Sequence, residues 1–373
     1  MAGGRYNIIL ATDRGAPILS LNRNSYLTAS RVVNGVGRLE LHTAVDFARE
    51  YLKRDRQIIV LRAAPGNVYR LFSIYFLRRW RRERSKGKQL TKLWGYCPNS
   101  LIARRLCVGY EFSTASLLTD EAGDMMKLLM TNALLDTDEP VPDVGTRDWP
   151  DFNVGPSLSD GPILTMDLPF KQLFGLSGGG AFTDIVNAAA AEGTPVFFDV
   201  VPTIVTSTST AFTLHTYTGQ PGQDLTRTVV LSEGQGTIAD PYIDEDYTKE
   251  ITYIYAGGKG AEEDQEIVQV YDATRYTASA WNRIEGFRDA ATQEGNGVRE
   301  EARAYLNDQR RVFKAGGDLL DTPSCRFGVH WWHGDRVRFR YDGQEFDAIV
   351  RNTTLIKRAG KETITAKVES VDG

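Results

Sequence analysis

Near the C-terminus, GDRVRFRYDGQEFDAIVRN alternates apolar and polar side chains on both sides of Asp342-Gly343. Val337, Phe339 and Tyr341 fall on one face with arginines between them, and Phe346, Ala348 and Val350 repeat the pattern on the return. Asp-Gly between two such runs is a strong hairpin-turn signal, and a period of two fixes which face is buried. A second hairpin follows, with its turn at Arg358, Ala359, Gly360 and Lys361 and with Ile364, Ala366 and Val368 pointing one way on the final strand. That strand, TITAKVES, reads as a sheet edge open to pairing or covering in an assembly.

The same short period dominates residues 5–112, where YNIIL, RLELH, QIIVLRA, NVYRLFSIYFL, KLWGY and RRLCVGYEF are strand-like runs. HTAVDFAREYLK is the exception, with Val45, Phe47 and Tyr51 spaced for a short helix or turn. A helix signal comes next: Thr119 and Asp120 can cap, and Met125, Met126, Leu128, Leu129 and Leu134 form an apolar face. DTDEPVPDVGTRDWPDFNVGPSLSDGP then reads as a long surface connection. FTDIVNAAAAEG predicts a helix ended by Gly193, while PVFFDVVPTIV, AFTLHTYT and TRTVVLS predict a small antiparallel sheet. Beyond residue 248, EITYIYAGG and EIVQVYD return to β alternation, and VREEARAYLNDQRRVF predicts a helix.

Composition narrows the function classes. The chain has 373 residues, enough for two or three domains, and its 44 basic residues are outweighed by 48 acidic ones. A dedicated nucleic-acid binder usually carries a basic surplus over the whole domain, so this balance points elsewhere. Cys97, Cys107 and Cys325 lack paired spacing, which argues against a disulfide scaffold or a zinc site. The N-terminus has no signal-peptide pattern, and no apolar run reaches the ~18 residues of a membrane span.

One stretch departs from the acidic average. Arg78, Arg79, Arg81, Arg82, Arg84, Lys86 and Lys88 crowd LRRWRRERSKGK together with Trp80. A turn at Ser85–Lys88 would make it a protruding hairpin with Trp80 on one strand and Trp94 on the other. Arginine with tryptophan suits phosphate and stacking contacts. The net charge favours a protein contact, and ADPYIDEDYTKE and GAEEDQE supply acidic segments that a neighbouring protomer or a tube protein could present to it.

No constellation in the sequence anchors an enzyme. His330 and His333 in HWWHGD lack a third ligand, and Trp331 and Trp332 between them read as anchors of the hairpin that follows. SGGG at Ser177–Gly180 lacks a phosphate-loop frame. Asp244, Glu245, Asp246, Glu262, Glu263 and Asp264 lack the fixed spacing of a calcium loop and do not define a glycosidase pair. No G-x-S-x-G elbow presents a serine. The sequence therefore assigns no catalytic, cofactor-binding or metal-ligating residue.

GTPVFFDV, YTGQPGQDLT, KEITYIYAGGKG, YTASAWNRIEGFRDA and the GDRV…YDGQEFDAIV hairpin, in that order and spacing, resemble the siphovirus tail protein family of the ReqiPepy phage Gp-like type, related to baseplate hubs of phage tails and contractile injection systems. The resemblance implies a mainly β chain with an α+β insert: two β-barrel-like hub domains at 1–115 and 248–373, a helix and irregular linker at 116–165, and a mixed module at 166–247. It implies a homotrimer whose six barrels continue the hexameric tail tube, touching the tube or distal tail protein, tail-tip or fibre proteins and the tape-measure protein, with DNA in transit. It further implies a virion component, assembled in the host cytoplasm, with no cofactor and no membrane association of its own. Tyr253, Tyr255, Tyr271 and Trp281 are candidate sources of apolar contact area for a standard interface of about 1,600 Å². Two other readings stand beside it: a nucleic-acid-binding module using residues 78–88, and a tail-tip cell-wall hydrolase.

Overall fold

The computed structural model describes residues 6–45, 47–63, 68–85, 88–107, 117–134, 148–168, 171–260, 264–291, 295–358 and 360–370. Among these residues, thirteen strands join in one hydrogen-bonded sheet. The path starts at Ile238–Asp246 and passes through Val312–Leu320, Lys361–Ser370 and Gln344–Arg358. It continues through Asn24–Val32, Arg38–Thr43, Lys88–Tyr96, Tyr69–Ser85, Gln57–Ala63 and Tyr6–Ala11 to Pro17–Ser20. Arg336–Tyr341 branches from Gln344–Arg358 and carries Val230–Ser232 in parallel.

The joint between the two ends of the chain is the antiparallel pairing of Gln344–Arg358 with Asn24–Val32, from Asn352 opposite Val32 to Arg358 opposite Tyr26. Both halves drain their apolar faces into one core: Ile8, Leu10, Ile58, Val60 and Phe72 from the first, and Phe327, Trp331, Val337, Phe339 and Val350 from the second. The mainly β expectation holds. The barrels are corrected, because among the described residues the path has two open ends and closes no barrel, and the strands of both halves share a sheet and a core.

QIIVL is apolar without alternation for a physical reason. Ile58 and Val60 face the shared core, while Ile59, with Ile74 and Phe76 on the neighbouring strand, faces a second core built by the middle of the chain. A strand buried on both faces has no polar side to show. The second core includes Met125, Met126, Leu129 and Met130 of helix Ala122–Leu134, Phe182 and Ile185 of helix Ala181–Ala191, and Val196, Phe198 and Val200 of the strand that follows.

Several local expectations hold and several are corrected. Helix Ala181–Ala191 ends before Gly193, whose φ of 80° lies in the left-handed region. Val196–Thr206 and Ser209–Thr218 form the predicted hairpin, but its third strand is Phe152–Val154, drawn from the expected surface connection. Val230–Ser232, expected beside that hairpin, joins the large sheet instead. Thr119 and Asp120 do not cap; they lie in strand Leu117–Glu121, which runs directly into helix Ala122–Leu134. Lys361–Ser370 is no edge strand, because it pairs with Gln344–Arg358 on one side and Val312–Leu320 on the other. Residues 136–147 of the expected connection, and Glu262, Glu263 and Ala359, lie outside the described residues.

A third, small core belongs to residues between Asp246 and Val312. Tyr253–Gly257, Ile267–Tyr271 and Glu285–Asp289 form a three-stranded sheet, and helix Asn296–Asp308 covers one face with Val298, Ala302 and Leu306 on Ile254, Ala256 and Val268. The other face presents Tyr253, Tyr255, Tyr271 and Phe287, with Trp281 beside it 91% exposed.

Candidate interaction surface

The basic stretch is the outer end of a 17-residue strand, Tyr69–Ser85, folded back on Lys88–Tyr96. The two strands pair as a hairpin on either side of the expected turn, with Ser85 opposite Lys88, Arg81 opposite Lys92 and Arg79 opposite Trp94. The hairpin does not protrude as a free arm, because Thr91–Tyr96 also pair with Arg38–Thr43 on the far side. A bulge between Leu77 and Arg79 places Arg78 and Arg79 both in solvent.

Most of these arginines already have partners inside the molecule. Arg78 pairs with Asp55 at 2.9 Å, which Arg104 also reaches at 2.9 Å. Arg81 meets Glu83 at 3.0 Å, and Lys92 meets the same carboxylate at 2.7 Å; that hydrogen bond from Lys92 holds the Glu83 carboxyl below its usual range. Arg82 donates to the Phe47 carbonyl at 2.8 Å and lies over the Phe47 ring. Trp80 faces inward against the shared core with Arg49 over it at 5.6 Å. Arg79 stacks on Trp94 at 4.8 Å. Arg79 and Arg84 are exposed and have no carboxylate partner among the described residues. Lys86 lies outside the described residues, and of Lys88 only the backbone is described.

The two histidines of HWWHGD part company. His330 is exposed and its Nδ1 accepts the Arg326 backbone N–H at 2.9 Å. His333 is buried beside Thr353, and burial, then the charge of Arg31, pushes its pKa well below the usual 6.5. Trp331 is buried and Trp332 stacks on Phe327 at 4.4 Å. This segment walls a cleft of about 700 Å³ whose other side is Arg31, Phe198, Asp199 and Tyr217. Arg31 and Asp199 close its floor as an ion pair at 2.5 Å. No group of three His, Cys, Asp or Glu side chains among the described residues could hold a metal ion. Burial pushes the Cys97 thiol up to about 12 and the Cys325 thiol up to about 11, so neither is a ready nucleophile.

The sequence reading missed a set of polar residues that fasten the parts together. Arg62 reaches Glu362 at 2.9 Å and Asp321 at 3.7 Å, and the Tyr6 hydroxyl donates to the same Glu362. The signal was present: Tyr6, Arg62 and Glu362 share strand parity with the buried Ile8, Val60 and Ile364, so each is a polar group on an inward face. Asn34 and Asn99 play the same part toward the middle of the chain. Asn34 accepts the Phe198 N–H at 2.8 Å, and Asn99 accepts the Val200 N–H at 2.7 Å while donating to the Gly35 carbonyl at 2.8 Å.

The acidic segment lies across the molecule from the hairpin in strand order. Ile238–Asp246 is the terminal strand, with Asp240, Tyr242, Asp244, Glu245 and Asp246 exposed. Glu245 pairs with Arg311 at 3.0 Å, and Asp246 accepts from Thr248. Among the described residues, nothing in this arrangement gathers three carboxylates into a metal-binding group.

The family model for the Siphovirus ReqiPepy6 Gp37-like protein matches residues 19–368. Among solved structures, the tail protein from Neisseria meningitidis MC58 is similar at 12% identity and a TM-score of 0.54, covering 100% of this chain and 98% of that one. The 43 kDa tail protein of prophage MuSo2 from Shewanella oneidensis is similar at 8% identity and a TM-score of 0.54, covering 97% and 98%. Prophage tail protein gp18 from Listeria monocytogenes EGD-e is similar at 11% identity and a TM-score of 0.50, covering 97% and 94%. No curated protein sequence matches.

Proposed function

The chain belongs to the Siphovirus ReqiPepy6 Gp37-like protein family, a family of phage tail structural proteins, and from that premise we propose that it is the hub of a tail: three copies in a ring, between the tail tube and the tail tip. The ring would meet the tube or distal tail protein on one side and tip or fibre proteins on the other, and would leave a passage for DNA or the tape-measure protein. The observation that carries this reading is the single sheet and shared core uniting the two ends of the chain. Such a body is stiff, because each half is held by the other, and stiffness is what a ring that transmits force in a virion needs.

A trimer closes when two different surfaces on each copy fit head to tail around a threefold axis. The family reading assigns the protein no chemistry. The direct test is sedimentation velocity on the purified chain followed by negative-stain class averages. A trimer with threefold averages and a central hole supports the hub. A monomer that binds DNA with a steep salt dependence overturns it in favour of a nucleic-acid module.

A further inference from the structure

Two exposed surfaces of opposite sign occupy separate places in the large sheet. Ile238–Asp246 ends the hydrogen-bonded path and, among the described residues, pairs along one edge only, with Val312–Leu320. Asp240 and Asp244 have no ion-pair partner among the described residues, although Asp244 stands opposite Lys314 in register. The Tyr242 hydroxyl beside them is raised by burial and then by Glu369, Asp244 and Asp318, which marks the field there as negative. At the other place, strand Tyr69–Ser85 has Gln57–Ala63 beside it as far as Phe76, and Leu77 still exchanges backbone hydrogen bonds with Asp55 and Arg56; beyond Leu77 it pairs, among the described residues, with Lys88–Tyr96 alone. That end carries the exposed Arg79, Arg81 and Arg84, with Trp94 beneath Arg79.

We propose that the acidic edge strand of one copy docks on the arginine-bearing end of the hairpin in the next copy. The inference rests on the ring reading above and names the contact that closes it. Charge complementarity selects the occupant. An edge strand of one sign repels a second copy of itself, which is how natural edges avoid pairing with their own kind, but it attracts an edge of the opposite sign. The contact is therefore heterologous, repeating the same two surfaces in the same order around the axis. Trp94, Tyr242 at 39% exposure and Tyr247 at 49% give it the aromatic area that a purely ionic contact lacks.

The test uses the full chain and two reversed versions. One carries Arg79→Glu, Arg81→Glu and Arg84→Glu; the other carries Asp244→Arg and Asp246→Arg. Circular dichroism checks that each is folded, and Asp244→Arg alone leaves the Asp246 contact to Thr248 in place as a milder variant. Each reversed chain is expected to associate with itself at least about tenfold more weakly than wild type in sedimentation velocity. Both sets combined in one chain restore the trimer. A mixture of the two singly reversed chains gives a distinct product: favourable contacts form only between unlike chains, and a ring of three cannot alternate two kinds. The mixture is expected to yield open pairs or even-membered rings and no trimer. A wild-type trimer that either reversed chain matches in affinity overturns this contact and leaves the ring standing, as does a folded combined chain that fails to recover it. A wild-type chain that is monomeric at every soluble concentration overturns the ring and the contact together.

Discussion

Arg62 Nε donates to Glu362 Oε1 at 2.9 Å across 300 residues of sequence. The two side chains are 13% and 6% exposed, so this pair, with Asp321 and the Tyr6 hydroxyl around it, is a buried polar clasp between the first strands and the last. Arg62 also donates to the Phe327 carbonyl at 3.2 Å and lies over that ring at 5.2 Å. Its guanidinium thus meets acceptors on one side and a π face on another.

Breaking one member of the clasp strands a buried charge. Arg62→Met or Glu362→Gln is expected to lower the unfolding free energy by about 3 kcal/mol, read from the denaturant midpoint at constant slope. The double variant is expected to cost less than the sum of the two, since neither charge is then left alone. Strict additivity would show that the two groups do not act as a pair.

Asn99 is the corresponding fastener toward the middle of the chain. Asn99→Ala leaves the Val200 N–H and the Gly35 carbonyl without their side-chain partner in a buried place and is expected to cost about 2 kcal/mol. Amide exchange at Val200 is expected to quicken more than exchange in the Arg336–Tyr341 hairpin. An equal change at both would mean global destabilisation with no local release of the joint.

His333 predicts a pH dependence of definite sign. Its folded pKa lies well below the ordinary 6.5 because burial, and then Arg31, disfavour the charged ring. A depressed folded value means that the unfolded chain binds the proton more readily, so the stabilisation is present above pH 6.5 and is lost as pH falls, by up to about 1.4 kcal/mol per pH unit. Comparing wild type with His333→Gln between pH 7 and pH 5 isolates this from the shared carboxylates. The gap in stability is expected to narrow as pH falls, and a constant gap would remove His333 as its source.

The arginines of the hairpin predict weak binding to nucleic acid. With Arg78, Arg81 and Arg82 engaged by Asp55, Glu83 and the Phe47 carbonyl, only Arg79 and Arg84 of the stretch's described arginine side chains lack such a partner and stay free for phosphates. Fluorescence anisotropy with a labelled single-stranded oligonucleotide is expected to show a shallow salt dependence, with a slope of magnitude below about 2 in log affinity against log salt. A slope near that of six or more neutralised phosphates would contradict the partners assigned to these arginines.

What the sequence disclosed followed its local physics. Asp342 and Gly343, with φ of 50° and 73°, make the turn that Asp-Gly announces, and Tyr341 faces Gln344 across it. The strands of the basic hairpin likewise pair on either side of the expected Ser85–Lys88 turn. Partners distant in sequence were not legible. Asn24–Val32 is not among the strand-like runs, and neither TASRV nor NTTLIKR alternates apolar with polar side chains, so nothing local says that the two segments lie side by side; that pairing is what replaces two separate barrels by one sheet. For the same reason Lys361–Ser370 read as an edge, since only its partner Val312–Leu320 reveals otherwise. Thr119 and Asp120 carried a capping signal, yet pairing with Ile163–Asp167 drew them into a strand. Glu362 was visible only as a misfit, a carboxylate at an inward position.

The small three-stranded sheet and its helix enter the chain after Asp246 and leave it before Val312, and those two residues stand opposite each other on adjacent strands of the large sheet. Facing residues in an antiparallel pair lie about 5 Å apart, so both ends of the module hang from a single point of the scaffold. With a core of its own, it resembles a tool bit in a chuck, steadied on one flank where helix Asn296–Asp308 meets helix Ala181–Ala191. The head, with its open aromatic face, thus has a foothold separate from the strands that grip it.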